Sequence, residues 1–504
     1  MAKPDYVLPA LRDMLPQYEL INDAIAGSVA VKGKTTKYLP HPTPDDTTSV
    51  AALNRYNAYI TRAVFYNVAQ RTLSGLVGQI FSRDPVAKVP ALLDIVVNDV
   101  DGAGVTLDQS AKECAKFVLS CGRAGVYVDY PETDGKAASV ADVQAGHIRP
   151  TIALYRPEAV INWRTISRGA KKVYSLVVLV ESYEKDDDGF ETKYGTQWRV
   201  LRLVDGLYVV EIYRDDAPET VWQTYNPTDA KGNRLDEIPF LFVGVTKNDS
   251  EIDLPPMFAI CDLNIAHYRN SADYEEHCFI TAQGTPVLTG LTEEWVKEVL
   301  NGTVVLGSRA AVPLPVGGDA KLLQAEERNA LNTAMEAKEK QMKALGAKLV
   351  EEKSVQRTAT EASQDEASET SVLSATAKNV AGAYKWALEW AAIFVGLKDR
   401  TAARTDTSSA IEYDLNTEFD LAKMTSEEIK TVLALWQGEL ITEEEARDNL
   451  TRAGVATLAY EDFAAQIEKE RVAALDRMAA ETAAQTPPAD PNAPPENTPP
   501  NNGG

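Results

Sequence analysis

Residues 27–35 carry the residue types of a phosphate-binding loop. Gly27 and Gly33 are followed by Lys34 and Thr35; in such a loop, backbone N–H groups cradle a nucleotide phosphate and the lysine reaches it. Five residues separate the two glycines, where the motif has four, and we predict a helix before the segment and a proline-rich loop after it. The motif needs a strand before it and a helix after it. A nucleotide-dependent enzyme is therefore the weakest of the alternatives.

An acidic turn resembles the beginning of a calcium-binding loop. Glu184, Asp186, Asp188 and Gly189 have the corresponding spacing. The twelfth position is Gly195, whereas a calcium loop carries a bidentate glutamate there. We interpret this segment as a solvated hairpin turn.

The cysteines and histidines give no catalytic or metal site. Cys114 and Cys121 are seven residues apart on one predicted helix, about 10.5 Å along its axis, and a disulfide spans at most about 7 Å between Cα atoms. Cys261 and Cys278 are farther apart on another helix, and we expect all four to be small core side chains. Neither a His-Glu-x-x-His pattern nor a Gly-x-Ser-x-Gly elbow occurs. We predict no catalytic residue, no cofactor and no metal, so we do not expect an enzyme.

Composition excludes several classes of protein. The 504 residues include 51 Lys and Arg against 74 Asp and Glu, a formal net charge of −23, which argues against a surface built to grip phosphates. Four cysteines in a chain of this length indicate a reducing compartment. Residues 386–397, the longest apolar stretch, contain Glu389 and fall short of the about 20 residues that span a bilayer. We expect a soluble, intracellular protein of several domains, with no membrane partner.

The order of predicted elements indicates an α+β fold. Apolar periodicity predicts helices over residues 15–26 and 49–81, and a helix that starts with the capping box of Thr106 and Gln109 and ends at Gly122. Strands are predicted in the middle of the chain, as an antiparallel meander with turns at residues 186–189 and 205–206. They cover residues 125–130, 151–155, 173–183, 197–204, 207–213 and 240–245.

The second half is predicted to be mainly helical. Thr425 with Glu428 and Thr442 with Glu445 form capping boxes of two late helices, with Gly438 as a stop between them. A DNA-reading helix-turn-helix is disfavoured, because three glutamates open the second of these helices. The other predicted elements are helices over residues 257–282, 292–300, 321–345 and 360–397, and a strand over residues 303–306. Residues 486–504 are rich in Pro and Asn, which predicts a disordered tail.

Four segments, in this order along the chain, resemble one family. They are Gly-Lys-Thr-Thr-Lys-Tyr-Leu-Pro at residues 33–40, the stretch of residues 62–78, Gly-Arg-Ala-Gly-Val-Tyr-Val-Asp-Tyr-Pro at residues 122–131, and Tyr-Arg-Pro-Glu-Ala-Val-Ile-Asn-Trp at residues 155–163. From about residue 33 to 471 the chain resembles the portal proteins of tailed bacteriophages, in a subgroup first catalogued as a domain of unknown function.

The resemblance implies a portal-like fold with named parts. These would be a mixed α/β wing (residues 1–253), a helical stem (254–282), a small α/β clip (283–319), a returning stem helix (320–345), a tunnel loop (346–359), a long wing helix with the segment after it (360–424), a helical crown (425–485) and the tail (486–504).

The resemblance also implies function and partners. Portal proteins form a ring, usually a homododecamer, at one capsid vertex of the virion, and are assembled in the host cytoplasm. The ring is the channel for genome packaging and ejection. Double-stranded DNA passes through it without sequence-specific contacts, driven by the terminase large subunit. The major capsid protein surrounds the ring, and a neck or adaptor protein docks at the clip. A capsid-internal scaffold or minor head protein is the competing class, since it would share the acidity and the helices without a closed ring.

The resemblance places the tunnel loop at the narrowest point of the channel. Its charged residues are therefore the expected DNA-channel residues: Lys348, Glu351, Glu352, Lys353 and Arg357. We expect weak, repeated contact between the basic side chains and passing phosphates, because an acidic channel lets duplex DNA slide. A solvated connection between two helices is the alternative for this segment.

Overall fold

The computed structural model describes most of the chain up to residue 417 and short stretches beyond it. The described residues are 3–130, 148–187, 189–229, 231–282, 285–300, 312–323, 329–350, 371–398, 411–417, 419, 426–437, 442, 444–447, 466–467, 469 and 471. Contacts divide the chain into two compact units, Met1–Phe419 and Asp420–Gly504. The described residues contain helices and antiparallel sheets, so the expected α+β class is confirmed.

The N-terminal part is a helical layer. Its elements are α1 (Pro9–Ala26), α2 (Ser28–Gly33), α3 (Val50–Arg62), α4 (Val68–Ile80), β1 (Val86–Lys88), α5 (Asp94–Asn98) and α6 (Leu107–Cys121). The capping box of Thr106 and Gln109 is present, and Gly122 ends α6 in the left-handed conformation that favours glycine. The predicted start and stop of this helix are confirmed.

The single helix predicted over residues 49–81 is wrong, because the chain leaves helical geometry at residues 63–67, between α3 and α4. Asn67 caps α4, since its side chain accepts a hydrogen bond from Gln70 N. Ile60, Val64 and Val68 keep helical spacing through the interruption, yet in the structure Val64 is 52% exposed and its neighbours Ala63 and Phe65 are buried. A pattern of apolar residues therefore could not reveal the break.

Two antiparallel sheets follow. β2 (Arg123–Asp129) lies between β3 (Thr151–Tyr155) and β9 (Phe240–Gly244). The second sheet has five strands in sequence order, β4 (Val160–Arg168), β5 (Lys171–Asp187), β6 (Thr192–Val204), β7 (Leu207–Arg214) and β8 (Val221–Tyr225). The predicted meander is confirmed, whereas β4 and β8 were not predicted. The last five residues of β4 and the first four of β8 are exposed or nearly so, and clean apolar alternation is absent there.

A buried polar network joins the two sheets. Arg199 on β6 contacts Asp129 on β2 at 3.2 Å and Glu181 on β5 at 2.7 Å. Tyr127 donates a hydrogen bond to Asp129 at 2.8 Å. Burial raises the pKa of Asp129 above its usual value, although Arg199 opposes this shift. Removing one member would leave a buried charge without its partner, so the network fixes the pairing of the sheets.

The remaining elements of the first unit are mainly helical. They are α7 (Phe258–Ala282), β10 (Thr285–Thr289), α8 (Glu293–Glu298), β11 (Asp319–Leu323), α9 (Ala330–Lys348), α10 (Val372–Phe394) and β12 (Glu412–Asp414). The prediction of a helix over residues 321–345 is wrong at its start, because β11 pairs with β10, from Thr285 opposite Leu323 to Thr289 opposite Asp319. The predicted strand over residues 303–306 lies outside the described residues.

The helix α10 is the centre of the core. Its alanines and aromatic side chains are buried against α6, β2 and β9. Tyr384 shares a 2.6 Å hydrogen bond with Ser110 on α6. Asn379 donates to the carbonyls of Gly244 and Val245 at 2.9 Å and accepts from Asn248 at its own carbonyl. These contacts fix the chain between β9 and α7.

In the second unit, α11 (Ser426–Gln437) confirms the first of the two late helices. Thr442 and Glu445 form the predicted capping box, with Glu445 N donating to the Thr442 hydroxyl at 3.1 Å. Thr425, Gly438 and the Pro/Asn-rich tail lie outside the described residues.

The side chain of Asn264 on α7 holds the interruption between α3 and α4. Its Oδ1 accepts from Val68 N and Ala69 N, and its Nδ2 donates to Tyr66 O, at 2.9–3.1 Å. We predict that Asn264→Leu lowers the free energy of unfolding by about 3 kcal/mol, because three backbone groups would be left without a partner. Urea unfolding followed by circular dichroism measures this change.

The matched control is Asn54→Leu, the same substitution at an exposed position of α3. It should change the free energy of unfolding by no more than about 0.5 kcal/mol. Equal stability of the two variants would show that Asn264 does not hold the interruption.

Candidate functional site

The helices α7 and α9 pack against each other and are joined through the two-stranded sheet of β10 and β11. His267 of α7 is buried and faces Glu339 of α9, with Nε2 and Oε1 3.4 Å apart. Burial lowers the pKa of His267, and Glu339 opposes this shift. The pair therefore helps to hold α9 in a fixed orientation against α7.

One side of α9 is anchored in the core. Met342 is fully buried, and Leu345 and Leu349 pack against the same cluster. A Cβ atom at Gly346 would lie 3.1 Å from the Thr72 methyl carbon, closer than ordinary van der Waals contact, so glycine lets α9 approach α4 here. Met342, Leu345 and Leu349 are spaced by 3 and 4 residues, so they lie on one side of the helix and the opposite side faces solvent.

That exposed side carries three lysines: Lys340, Lys343 and Lys348, which we call the lysine stripe. At 3.6 residues per turn they lie within about 140° around the helix axis and span about 12 Å along it. Among the described residues, none of the three has an ion-pair partner. Two acidic side chains lie on this part of α9: Glu336, exposed one turn before Lys340, and Glu339, which faces His267 and is 33% exposed. A chain of net charge −23 thus presents a locally basic helix face.

The lysine stripe ends where the chain leaves α9. Leu373 N, at the beginning of α10, donates to Leu349 O at 3.2 Å. The chain therefore departs from α9 and enters α10 at one point, beside Lys348. Of the five predicted channel residues, Lys348 lies at the last position of α9, and Glu351, Glu352, Lys353 and Arg357 lie outside the described residues.

Lys340 and Lys343 were not predicted as site residues. Both lie in the segment predicted to be helical, and the spacing of Met342, Leu345 and Leu349 already gives the buried side of that helix. Projecting the lysines onto the opposite side would have identified them. The expected channel residues were instead confined to the segment between helices.

The two-stranded sheet of β10 and β11 exposes apolar side chains. Every residue of β11 is exposed, Leu322 by 59% and Leu323 by 67%. Val287 on β10, and Phe279 and Ile280 at the end of α7, are also exposed. An isolated two-stranded sheet is marginally stable in water. These five residues, which we call the apolar end, are suited to contact with another chain.

The segment that resembled a phosphate loop has another structure. Ser28–Gly33 is the short helix α2, so a helix stands where a phosphate loop would have its turn. Lys34 Nζ contacts Glu19 Oε1 at 2.8 Å, and this bond together with a second one from Lys37 lowers the pKa of Glu19 to about 2. The lysine that would reach a phosphate is thus paired with a carboxylate of α1.

The remaining candidates for chemistry have structural roles. Cys114, Cys121 and Cys261 are buried, and burial raises the pKa of Cys121 to about 12. Cys278 is exposed, so its placement in the core was wrong: it lies in the last turn of α7, beside Phe279. The acidic turn connects β5 and β6 as the predicted hairpin. In the part of the chain that the structure describes, no group of His, Cys, Asp and Glu could hold a metal ion, and no helix is long and apolar enough to cross a membrane.

Residues 256–395 match the model of a family described as a domain of unknown function, DUF4055. The match extends from the beginning of α7 to the end of α10 and includes the lysine stripe and the apolar end. No curated protein sequence matches the chain.

Two solved structures of gene transfer agent particles show a distant likeness. One is the virion of the native particle, with a TM-score of 0.38 and 13% identity, and the other is the neck of the empty particle, with a TM-score of 0.38 and 12% identity. Each comparison covers 78% of this chain and 92% of the matched chain.

Proposed function

We propose that this protein is a phage portal protein, a ring at one capsid vertex through which double-stranded DNA enters and leaves the virion. The single observation that carries the proposal is the basic exposed face of α9. This face ends at the point where the chain leaves α9 and, at Leu373, enters α10. In an acidic protein that forms a DNA channel, such a face supplies weak phosphate contacts at a defined place.

The order of elements supports the proposal. A helical layer and antiparallel sheets precede α7, and β10, α8 and β11 come between α7 and the returning α9. The buried α10 then leads back into the first part of the chain. The resemblance of four sequence segments to portal proteins predicted this succession of wing, stem, clip, stem and wing helix.

Electrostatics supports sliding rather than tight binding. Duplex DNA carries one negative charge per about 1.7 Å of its axis, so a length of about 12 Å, that of the lysine stripe, carries roughly seven phosphates over its two strands. Three lysines per subunit neutralise some of them, while the net charge of −23 repels the rest of the duplex. Contacts of this kind form and break as DNA advances.

A closed ring also needs an interface between unlike faces of neighbouring subunits. The apolar end offers one part of such an interface, because its exposed Leu322 and Leu323 gain burial against a second copy.

In this proposal the chain hydrolyses no nucleotide. The terminase large subunit supplies the energy, the major capsid protein encloses the ring, and a neck protein docks near the apolar end.

Mass photometry of the purified protein tests the proposal. We expect a discrete high-mass species, about 660 kDa if twelve subunits of 55.0 kDa assemble, with no ATP hydrolysis. Leu322→Ser with Leu323→Ser should shift the distribution toward monomers, because association then buries less apolar surface. Monomers or dimers alone under all assembly conditions would contradict a ring and favour a scaffold or minor head protein.

The lysine stripe should determine the salt dependence of DNA binding by the rings. In the triple variant Lys340→Ala, Lys343→Ala and Lys348→Ala, we expect intact rings with a shallower slope of log affinity against log salt. The slope should fall by about 1 for each phosphate that a lysine no longer neutralises. Titration of a fluorescent duplex at several salt concentrations measures the slope.

The control changes the same number of exposed lysines on the five-stranded sheet: Lys171→Ala, Lys172→Ala and Lys193→Ala. It should keep the slope of the parent protein. Lys353→Ala with Arg357→Ala should reduce the slope as the triple variant does. Equal slopes for the parent, the triple variant and the control would show that the lysine stripe does not contact DNA in the channel.

A further inference from the structure

A cleft of about 510 Å³ lies on one face of the five-stranded sheet, under the N-terminal segment. The volume is in the range of small-ligand sites. Its lining residues come from that segment, which contributes Lys3 and Asp5, and from the adjacent strands β4, β5, β6 and β7. The portal function proposed above makes no use of this cleft.

The strand register defines the floor of the cleft. In one row across β4, β5 and β6, Arg164 pairs with Leu176, which pairs with Arg202. Neighbouring strands are about 4.8 Å apart, so the Cα atoms of Arg164 and Arg202 are separated by roughly 10 Å, with Leu176 between them. Two guanidinium groups at this separation can converge on one anionic group above the leucine.

The adjacent row supplies an apolar surface and a buried acceptor. Asn162 pairs with Val178, which pairs with Val200. The Asn162 side chain is 6% exposed, and among the described residues its Oδ1 has no hydrogen-bond partner. A buried carbonyl oxygen of this kind requires an N–H donor.

The charged side chains of the cleft favour a ligand group with a single negative charge. Arg202 is partly neutralised, since its Nε lies 3.4 Å from Glu211 Oε2, whereas Arg164 has no ion-pair partner among the described residues. In the N-terminal segment above the cleft, Lys3 adds a positive charge that Glu219 partly neutralises at 3.5 Å, and Asp5 adds a negative one. Asp5 repels a doubly charged phosphate more strongly than a singly charged carboxylate.

We propose that this cleft binds the free C-terminus of a partner polypeptide that ends in an aliphatic residue. The terminal carboxylate lies between Arg164 and Arg202, the last amide N–H donates to Asn162 Oδ1, and the aliphatic side chain contacts the row of Leu176, Val178 and Val200. Carboxylate, adjacent N–H and apolar side chain are the three groups that a polypeptide presents together at its C-terminus.

Binding of the dansylated peptide Gly-Ala-Leu, followed by fluorescence anisotropy with the full-length protein, tests the proposal. The free acid should bind saturably, and the C-terminal amide should bind at least tenfold more weakly, because it lacks the negative charge and the second acceptor oxygen that would pair with the two guanidinium groups. Arg164→Gln and Asn162→Leu should each weaken binding of the acid, by about tenfold and severalfold respectively.

The matched control is Arg168→Gln, on the same strand but outside the cleft, where Arg168 contacts Asp236. It should bind the acid like the parent protein. Equal binding of acid and amide, or no saturable binding at millimolar peptide, would overturn the proposal. Competition by inorganic phosphate as strong as that by unlabelled peptide would also overturn it, since the cleft would then recognise any anion. The comparison of acid and amide uses the unaltered chain, so it stays decisive if a variant fails to fold.

Discussion

The interruption between α3 and α4 is stable only because side chains of α7 satisfy its backbone. Asn264 binds three backbone groups of residues 66–69, and Ser271, two helical turns later, accepts from Val64 N at 2.8 Å. Buried backbone groups without partners cost about 1–3 kcal/mol each. The same helix face holds His267, which faces Glu339 of α9. One row of polar side chains therefore sets the position of α7 against the N-terminal layer and of α9 against α7, and with them the direction of the lysine stripe.

Much of the fold follows from local sequence signals. The capping box at Thr106 and the glycine at residue 122 fixed both ends of α6, and Asp205-Gly206 placed the hairpin between β6 and β7. Where tertiary contacts override local preference, the predictions were wrong. The break at residues 63–67 depends on Asn264, about 200 residues away in the chain, and β11 depends on pairing with β10. Neither partner is visible within a local window of sequence.

Only one residue of the lysine stripe was named from the sequence. Lys348 was named because the resemblance to portal proteins places it in the tunnel loop of residues 346–359, whereas Lys340 and Lys343 become notable only once the buried side of α9 is known. The cleft on the five-stranded sheet was not predicted, since its floor consists of Arg164, Leu176 and Arg202 on three strands, and only the register brings them together. Local sequence signals predict the helices and strands, whereas the residues of a site come together only through the packing and pairing of those elements.

We propose that α9 turns its lysine stripe toward a DNA channel. A cryo-EM reconstruction of the assembled protein tests this claim directly, because it gives the orientation of α9 relative to the symmetry axis. We expect a closed ring with an axial hole, with Lys340, Lys343 and Lys348 of every subunit facing it. A ring whose lysine stripes face outward, or an assembly without an axial hole, would contradict the claim.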